Sequence, residues 1–151
     1  MLTEQLVIAL RRSGRRVFVA APKATWLIAR LMCRSLRLLV VEDHPDSAEL
    51  LAELLQHHGH IVQIAATASD AMALANAQPF DVVLSDVGLP DASGYELMEQ
   101  LRDRFAMKGI AVTGAGRASD VERGRAAGFS AHLTKPFSMR SLQRALEELA
   151  G

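Results

Sequence analysis

From Leu36 onward, short apolar runs alternate with stretches of helical periodicity, five of each in strict succession. "LRLLVVED" (36–43) is dense in leucine and valine without polar alternation, the mark of a strand buried on both faces. "HPDSAELLAELLQHHG" places Leu50, Leu51, Leu54 and Leu55 on one helical face and stops at Gly59. "HIVQIAA" reads as a strand, and "TASDAMALANAQP" as a helix with Ser69 as N-cap and Pro79 ending it. Three further strand–helix pairs follow: "FDVVLSD" with "SGYELMEQLRDRF", "KGIAVTGAG" with "ASDVERGRAAG", and "FSAHLTKPF" with "SMRSLQRALEELAG". Parallel strands need crossovers, and helical crossovers cover both faces of a sheet. The expected fold is therefore α/β, a doubly wound five-stranded parallel sheet with five helices over residues 36–151.

The preceding segment has a different character. Residues 1–37 carry eight basic residues and one acidic, whereas residues 38–151 carry nine basic and sixteen acidic, so a formally neutral chain is electrostatically split. Residues 1–35 are expected to be a basic extension, helical or disordered, with Met32 as an alternative start. Its apolar pieces "LVIAL", "VFVAA" and "WLIARLM" are interrupted by arginines and by Pro22-Lys23, so neither a transmembrane segment nor a signal peptide is expected. "RRVF" bears only a faint likeness to a twin-arginine export signal. The single cysteine, Cys33, excludes an internal disulfide and fits a reducing compartment, so a cytoplasmic location is expected.

In a doubly wound sheet, ligands sit outside the carboxyl ends of the strands. Those ends carry Glu42-Asp43, Asp86, Thr113 and Lys135-Pro136. Three carboxylates brought together raise one another's pKa, and a hard divalent cation such as Mg²⁺ relieves the repulsion. Lys135 offers a point charge and Thr113 a hydroxyl, both suited to phosphoryl oxygens. The chain has no GxxxxGK[ST] loop, Ser/His/Asp arrangement or Cys/His cluster. What remains is metal-assisted transfer of a phosphoryl group to a carboxylate, with Asp86 at the centre as nucleophile.

"LLVVEDHPDSAELLAELL", "DVVLSDVGLPDASGYELMEQLR", "IAVTGAG" and "AHLTKPF", each at a strand end, together resemble the receiver domain of bacterial two-component response regulators over about residues 36–150. The resemblance implies a flavodoxin-like strand order of 2-1-3-4-5. It also implies that Asp86 takes a phosphoryl group from a phosphohistidine as an acyl phosphate. Asp43 would bind Mg²⁺ directly together with Asp86, Glu42 would assist through water or as a second ligand, and the backbone carbonyl of Gly88 would complete the coordination. Lys135 would pair with the phosphoryl group, and Thr113 would hydrogen-bond to it after moving inward. Pro136 would follow a cis peptide that fixes the loop carrying Lys135.

The implied donor is a histidine kinase or a histidine phosphotransfer protein. A downstream protein would meet the face of the fourth helix, fifth strand and last helix, which carries Arg117, Arg123, Arg125, Arg140 and Arg144. No nucleic-acid contact is implied for this domain, and a monomer or weak dimer is expected. The chain would act as a switch that gains and loses its own phosphate, not as a turnover enzyme. It would stand alone or form the receiver piece of a hybrid histidine kinase.

Some positions depart from the family pattern. His132 stands where many receivers carry a Tyr or Phe that turns inward on phosphorylation. Its plain reading is a partly exposed strand histidine; its sharper reading is a switch ring that titrates near neutral pH. Gly88 and Ala115 are too small to orient an attacking water, which predicts slow self-hydrolysis. His57, His58 and His60 surround Gly59, where cationic groups suit a helix C-terminus, and His44 follows the acid pair. A structural account is favoured for these histidines over a metal or phosphohistidine role. Leu142, Leu146 and Leu149 form a core stripe on the last helix. A phosphohydrolase with an aspartate nucleophile is the rival enzyme, but its type carries a second aspartate where Gly88 stands. Nucleic-acid or acidic-lipid binding by the extension is a third reading.

Overall fold

The computed structural model describes residues 6–12, 15–21, 35–114 and 118–150 and contains two separate sheets. They belong to two units, Met1–Ser35 and Leu36–Gly151. In the first unit, β1 (Leu6–Arg12) pairs antiparallel with β2 (Arg15–Ala21), in a register running from Leu6↔Ala21 to Arg12↔Arg15. These segments are extended, in place of the helix or disorder expected from the sequence. Val7, Ile8, Val17 and Val19 are β-branched, and two residues, Ser13 and Gly14, separate the runs, the spacing of a tight hairpin. Met32 and Cys33 lie outside the described residues.

In the second unit, β3 (Arg37–Val41), β4 (Ile61–Ala65), β5 (Val82–Asp86), β6 (Lys108–Thr113) and β7 (Phe129–Thr134) form one parallel sheet. The order is β4-β3-β5-β6-β7, which is 2-1-3-4-5 when the unit's own strands are counted. The helices are α1 (Pro45–His57), α2 (Ala68–Ala77), α3 (Gly94–Phe105), α4 (Ala118–Ala127) and α5 (Met139–Ala150).

Alternate strand residues feed two cores. Leu38, Val40, Val82, Leu84 and Ile110 pack with Ala52 and Leu55 of α1 and Leu142 and Leu146 of α5. Leu39, Val41, Val83 and Ala111 point the other way, into a core with Ala71 of α2, Leu97, Met98 and Leu101 of α3, and Ala127 of α4. Burial on both sides explains why these strands read as unbroken apolar runs.

Helix boundaries follow local chemistry, with one correction. The N-cap of α2 is Thr67, whose Oγ1 accepts from the Asp70 N–H at 3.0 Å. Ser69, the expected cap, lies inside the helix, where its N–H and that of Ala68 donate to the Asp91 carboxylate at 3.0 and 2.9 Å. Those backbone donors hold the Asp91 carboxyl below the usual aspartate value. Ser93 caps α3, and Gly59 (φ 92°) and Gly128 (φ 110°) follow α1 and α4 in the left-handed region that glycine tolerates. The leucine face of α1 is divided. Leu55 is buried, Leu51 is half-buried, and Leu50 and Leu54 are exposed beside a cavity.

Candidate functional site

Pairing in the sheet brings the strand ends into one row. Val41 lies opposite Ser85, Asp86 opposite Val112, and Thr113 opposite Thr134. The chain beyond each strand is tied in as well: Glu42 N–H donates to the Ala65 carbonyl at 3.1 Å, and Lys135 N–H to the Thr113 carbonyl at 2.7 Å. A rigid sheet thus delivers Glu42, Asp43, Asp86, Thr113 and Lys135 to one edge. The Lys135–Pro136 peptide is cis.

Lys135 Nζ joins two of the acids, lying 2.9 Å from Glu42 Oε2 and 3.1 Å from Asp86 Oδ2. The other Asp86 oxygen, Oδ1, accepts from the Gly88 N–H at 3.0 Å. Glu42 is buried, and burial alone would raise its carboxyl pKa. Hydrogen bonds from Lys135 and His44 outweigh that effect and hold it below the ordinary glutamate value. For Lys135, burial pulls the pKa down, but the bonds to Glu42 and Asp86 prevail and raise it. Thr113 is buried at the end of β6.

On the outer side of Glu42 stand Asp43 and His44. Donor atoms of Glu42, Asp43 and His44 lie within 4.8 Å of one another. Asp86 is not in that group and joins it through Lys135. Asp43 Oδ1 is buried and makes no hydrogen bond, its contact with His44 being an ion pair, so it is an acceptor that a cation would satisfy. An oxygen-rich donor set of this kind fits a hard divalent ion. His44 Nδ1 lies 3.0 Å from Glu42 Oε1 and 3.1 Å from Asp43 Oδ1. The hydrogen bond to Glu42, then the Asp43 charge, raises its pKa.

A cavity of about 550 Å³ opens over this edge, lined by Glu42, Asp86 and Lys135 and by Leu50, Leu54 and Phe137. An incoming group therefore meets the acids beside an apolar wall. Gly88 leaves room for a side chain, since an added Cβ would approach only Asp86 Oδ1, at 3.9 Å.

Gly94 is a residue the sequence reading missed. A Cβ there would strike the Asp86 carbonyl oxygen and sit 2.7 Å from Val87 Cα. Its absence lets the start of α3 close against the backbone that carries Asp86, and Gly94 N–H donates to the Val87 carbonyl at 2.9 Å. The sequence signal was the Ser93-Gly94 pair opening α3.

The remaining candidates fall elsewhere. His132 is half-buried on β7, and its Nε2 has no hydrogen-bond partner. His58 Nδ1 donates to the Leu54 carbonyl at 2.7 Å, capping α1. His60 Nδ1 accepts from the Leu36 N–H at 3.3 Å, and burial lowers its pKa. Arg123, Arg125, Arg140 and Arg144 are exposed, and Arg123 stacks over the Tyr95 ring at 4.5 Å. Ala115 and Arg117 lie outside the described residues.

A doubly wound sheet with an acid pair, a third acid, a hydroxyl and a lysine along one carboxyl edge defines a signalling receiver. The family model described as response regulator receiver domain matches residues 38–147. The chain belongs to that family, the receiver domains of two-component systems. It is 34% identical over 119 residues to protein PilH of Pseudomonas aeruginosa, covering 76% of this chain and 98% of that one. It is 35% identical over 124 residues to the virulence sensor protein BvgS of Bordetella bronchiseptica; this covers 77% of the chain but spans only 10% of that protein. The chemotaxis response regulator CheY4 of Vibrio cholerae superposes with a TM-score of 0.71 at 28% identity, over 76% of this chain and 98% of that one. Among the described residues, no helix is long and apolar enough to cross a membrane.

Proposed function

We propose that Asp86 is the phosphoacceptor of a cytoplasmic phosphorylation switch, supplied by a histidine kinase or a histidine phosphotransfer protein. The observation that carries this reading is Lys135 Nζ held between Glu42 and Asp86, at 2.9 and 3.1 Å. In transfer, an Asp86 oxygen would bond to phosphorus as the P–N bond of the donor breaks, and the donor imidazole would leave with its electron pair and take up a proton. Both Asp86 oxygens already carry hydrogen bonds, so the arriving group would exchange one of them. Lys135 would transfer its contact to a phosphoryl oxygen, and the Thr113 hydroxyl would donate to another. Asp43 and Asp86 would hold Mg²⁺, with Glu42 beside them and the Gly88 carbonyl as a further ligand; when bound, the ion supplies neutralising charge to the phosphoryl oxygens.

Phosphorylation shifts a two-state population only through contacts that differ between the states. The readout would be the α4–β7–α5 face, with its exposed arginines and the half-buried His132, acting on a protein target in a monomer or weak dimer. The same switch suits a stand-alone regulator or a piece of a hybrid kinase. The test is intact-mass measurement after incubation with acetyl phosphate and Mg²⁺. One phosphoryl group should appear on the wild type and none on Asp86→Ala. An unmodified wild type would overturn the reading.

A further inference from the structure

We propose that His44 is an additional ligand to the divalent cation bound at Asp43 beside Glu42, and that it biases this site toward borderline transition ions such as Co²⁺ over Mg²⁺. The inference rests on the reading of Glu42 and Asp43 as part of the cation site. It starts from the position of one ring nitrogen. His44 follows β3 immediately after the acid pair and is the N-cap residue of α1, yet its side chain makes no capping hydrogen bond. The ring instead folds back over the acids, with Nδ1 3.0 Å from Glu42 Oε1 and 3.1 Å from Asp43 Oδ1.

Those spacings have a meaning beyond an ion pair. Adjacent ligands of an octahedral ion with bonds of about 2.1 Å stand about 3.0 Å apart, so Nδ1 lies where a neighbouring ligand of the two carboxylates would lie. Asp43 Oδ1 accepts no hydrogen bond despite being buried and despite the nearby nitrogen. Its contact with the ring is an ion pair without hydrogen-bond geometry, which leaves its lone pairs available to a cation. The ring is mostly solvent-exposed, so when Nδ1 ligates, the neutral tautomer can carry its proton on Nε2 in water.

One imidazole among carboxylates changes ion preference in a known direction. Carboxylate and water donors suit Mg²⁺, while imidazole favours the later first-row ions. The other four histidines do not share the site. His57, His58 and His60 lie at the far end of α1, whose 13 residues span about 20 Å. His132 sits on β7 in register with Ala111, two residues short of the β6 end.

The test is calorimetric titration of the full chain with Co²⁺ and separately with Mg²⁺, at about pH 8 where a free imidazole is neutral. It compares wild type with His44→Ala. The variant should bind Co²⁺ about tenfold more weakly and Mg²⁺ within about twofold of wild type. Proton NMR of the Co²⁺-loaded wild type should show paramagnetically shifted imidazole ring C–H signals that are absent from His44→Ala. Unchanged Co²⁺ affinity, or the same shifted ring C–H signals in the variant, would overturn the inference. Tighter binding of both ions by the variant would overturn it too, making the ring a plug that the cation displaces. Failure of wild type to bind either ion would overturn the underlying cation reading, and this inference with it.

Discussion

Replacing Lys135 with methionine removes the ammonium between Glu42 and Asp86 and keeps most of the stem. Unit charges about 3 Å apart at an effective dielectric of about 20 attract by roughly 5 kcal/mol before desolvation is counted. Breaking a fully buried pair costs about 3–5 kcal/mol, and breaking an exposed one costs less than about 1 kcal/mol. Here the side chains of Glu42 and Asp86 are 8% and 17% exposed, but that of Lys135 is 38% exposed. Solvent screening at the lysine therefore places the expected loss between these limits, at about 2 kcal/mol. With a urea slope of about 2 kcal/mol/M, the unfolding midpoint should fall by about 1 M at neutral pH.

The pH dependence is the sharper check. Glu42 has a depressed folded pKa, so its contribution is present above its ordinary value of 4.5 and lost as pH falls through the folded value. Without Lys135, its hydrogen bond and charge no longer offset burial at Glu42, and the carboxyl protonates more readily than in the wild type. The gap between wild type and variant should therefore narrow as the medium is acidified below 4.5. Lys135 has a raised folded pKa, so its contribution is present below its ordinary value of 10.5 and lost as pH rises through the folded one. Equal midpoints at neutral pH, or a gap that stays constant on acidification, would refute the electrostatic reasoning.

Other residues offer independent checks. Gly94→Ala forces a methyl against the Asp86 and Val87 backbone and should cost about 2 kcal/mol or more in denaturant melts; a wild-type midpoint would contradict the packing. Ala106 ends α3 in the left-handed region at φ 51°, so Ala106→Gly should gain about 1 kcal/mol despite the added chain entropy. A loss of stability there would contradict the cap. Burial depresses the His60 pKa, so its contribution is present above the ordinary value of 6.5 and lost as pH falls through the folded one. His60→Asn, which keeps an acceptor for the Leu36 N–H, should flatten the acid side of the stability profile, and an unaltered slope would exclude His60 as its source.

Strand existence was legible in the sequence because both faces of the sheet are covered. Leu38 and Leu39 enter different cores, so both must be apolar, and a leucine-valine run is the signature. The site row was legible for a related reason. Once five parallel strands are granted, Asp43, Asp86, Thr113 and Lys135 must arrive at the same edge. What escaped the sequence depends on contacts between distant segments. Ser69 looked like a cap because nothing local marks Asp91, 22 residues away, as the acceptor for its N–H. Leu50 and Leu54 look like core positions, yet Ala48, Ala52 and Leu55 are the residues buried on α1.

The constraint on Gly94 was hidden similarly. It arises where the loop after Asp86 returns to pair Gly88 with Ser93, a juxtaposition without a sequence period. The return of His44 over the acid pair is set by a side-chain rotamer, which spacing does not report. The hairpin β1–β2 is less legible because four arginines stand at its turn, between the β-branched residues of the two strands. There, the Ser13-Gly14 step was the available signal.

The most direct measurement is chemical trapping of the phosphorylated residue. Chain treated with acetyl phosphate and Mg²⁺ is reduced with borohydride, which converts an aspartyl phosphate to homoserine with release of phosphate, and the peptides are sequenced by mass spectrometry. The account predicts homoserine at position 86 alone, and none when phosphodonor is omitted. Homoserine at position 43, or phosphate incorporation with position 86 unreduced, would contradict it.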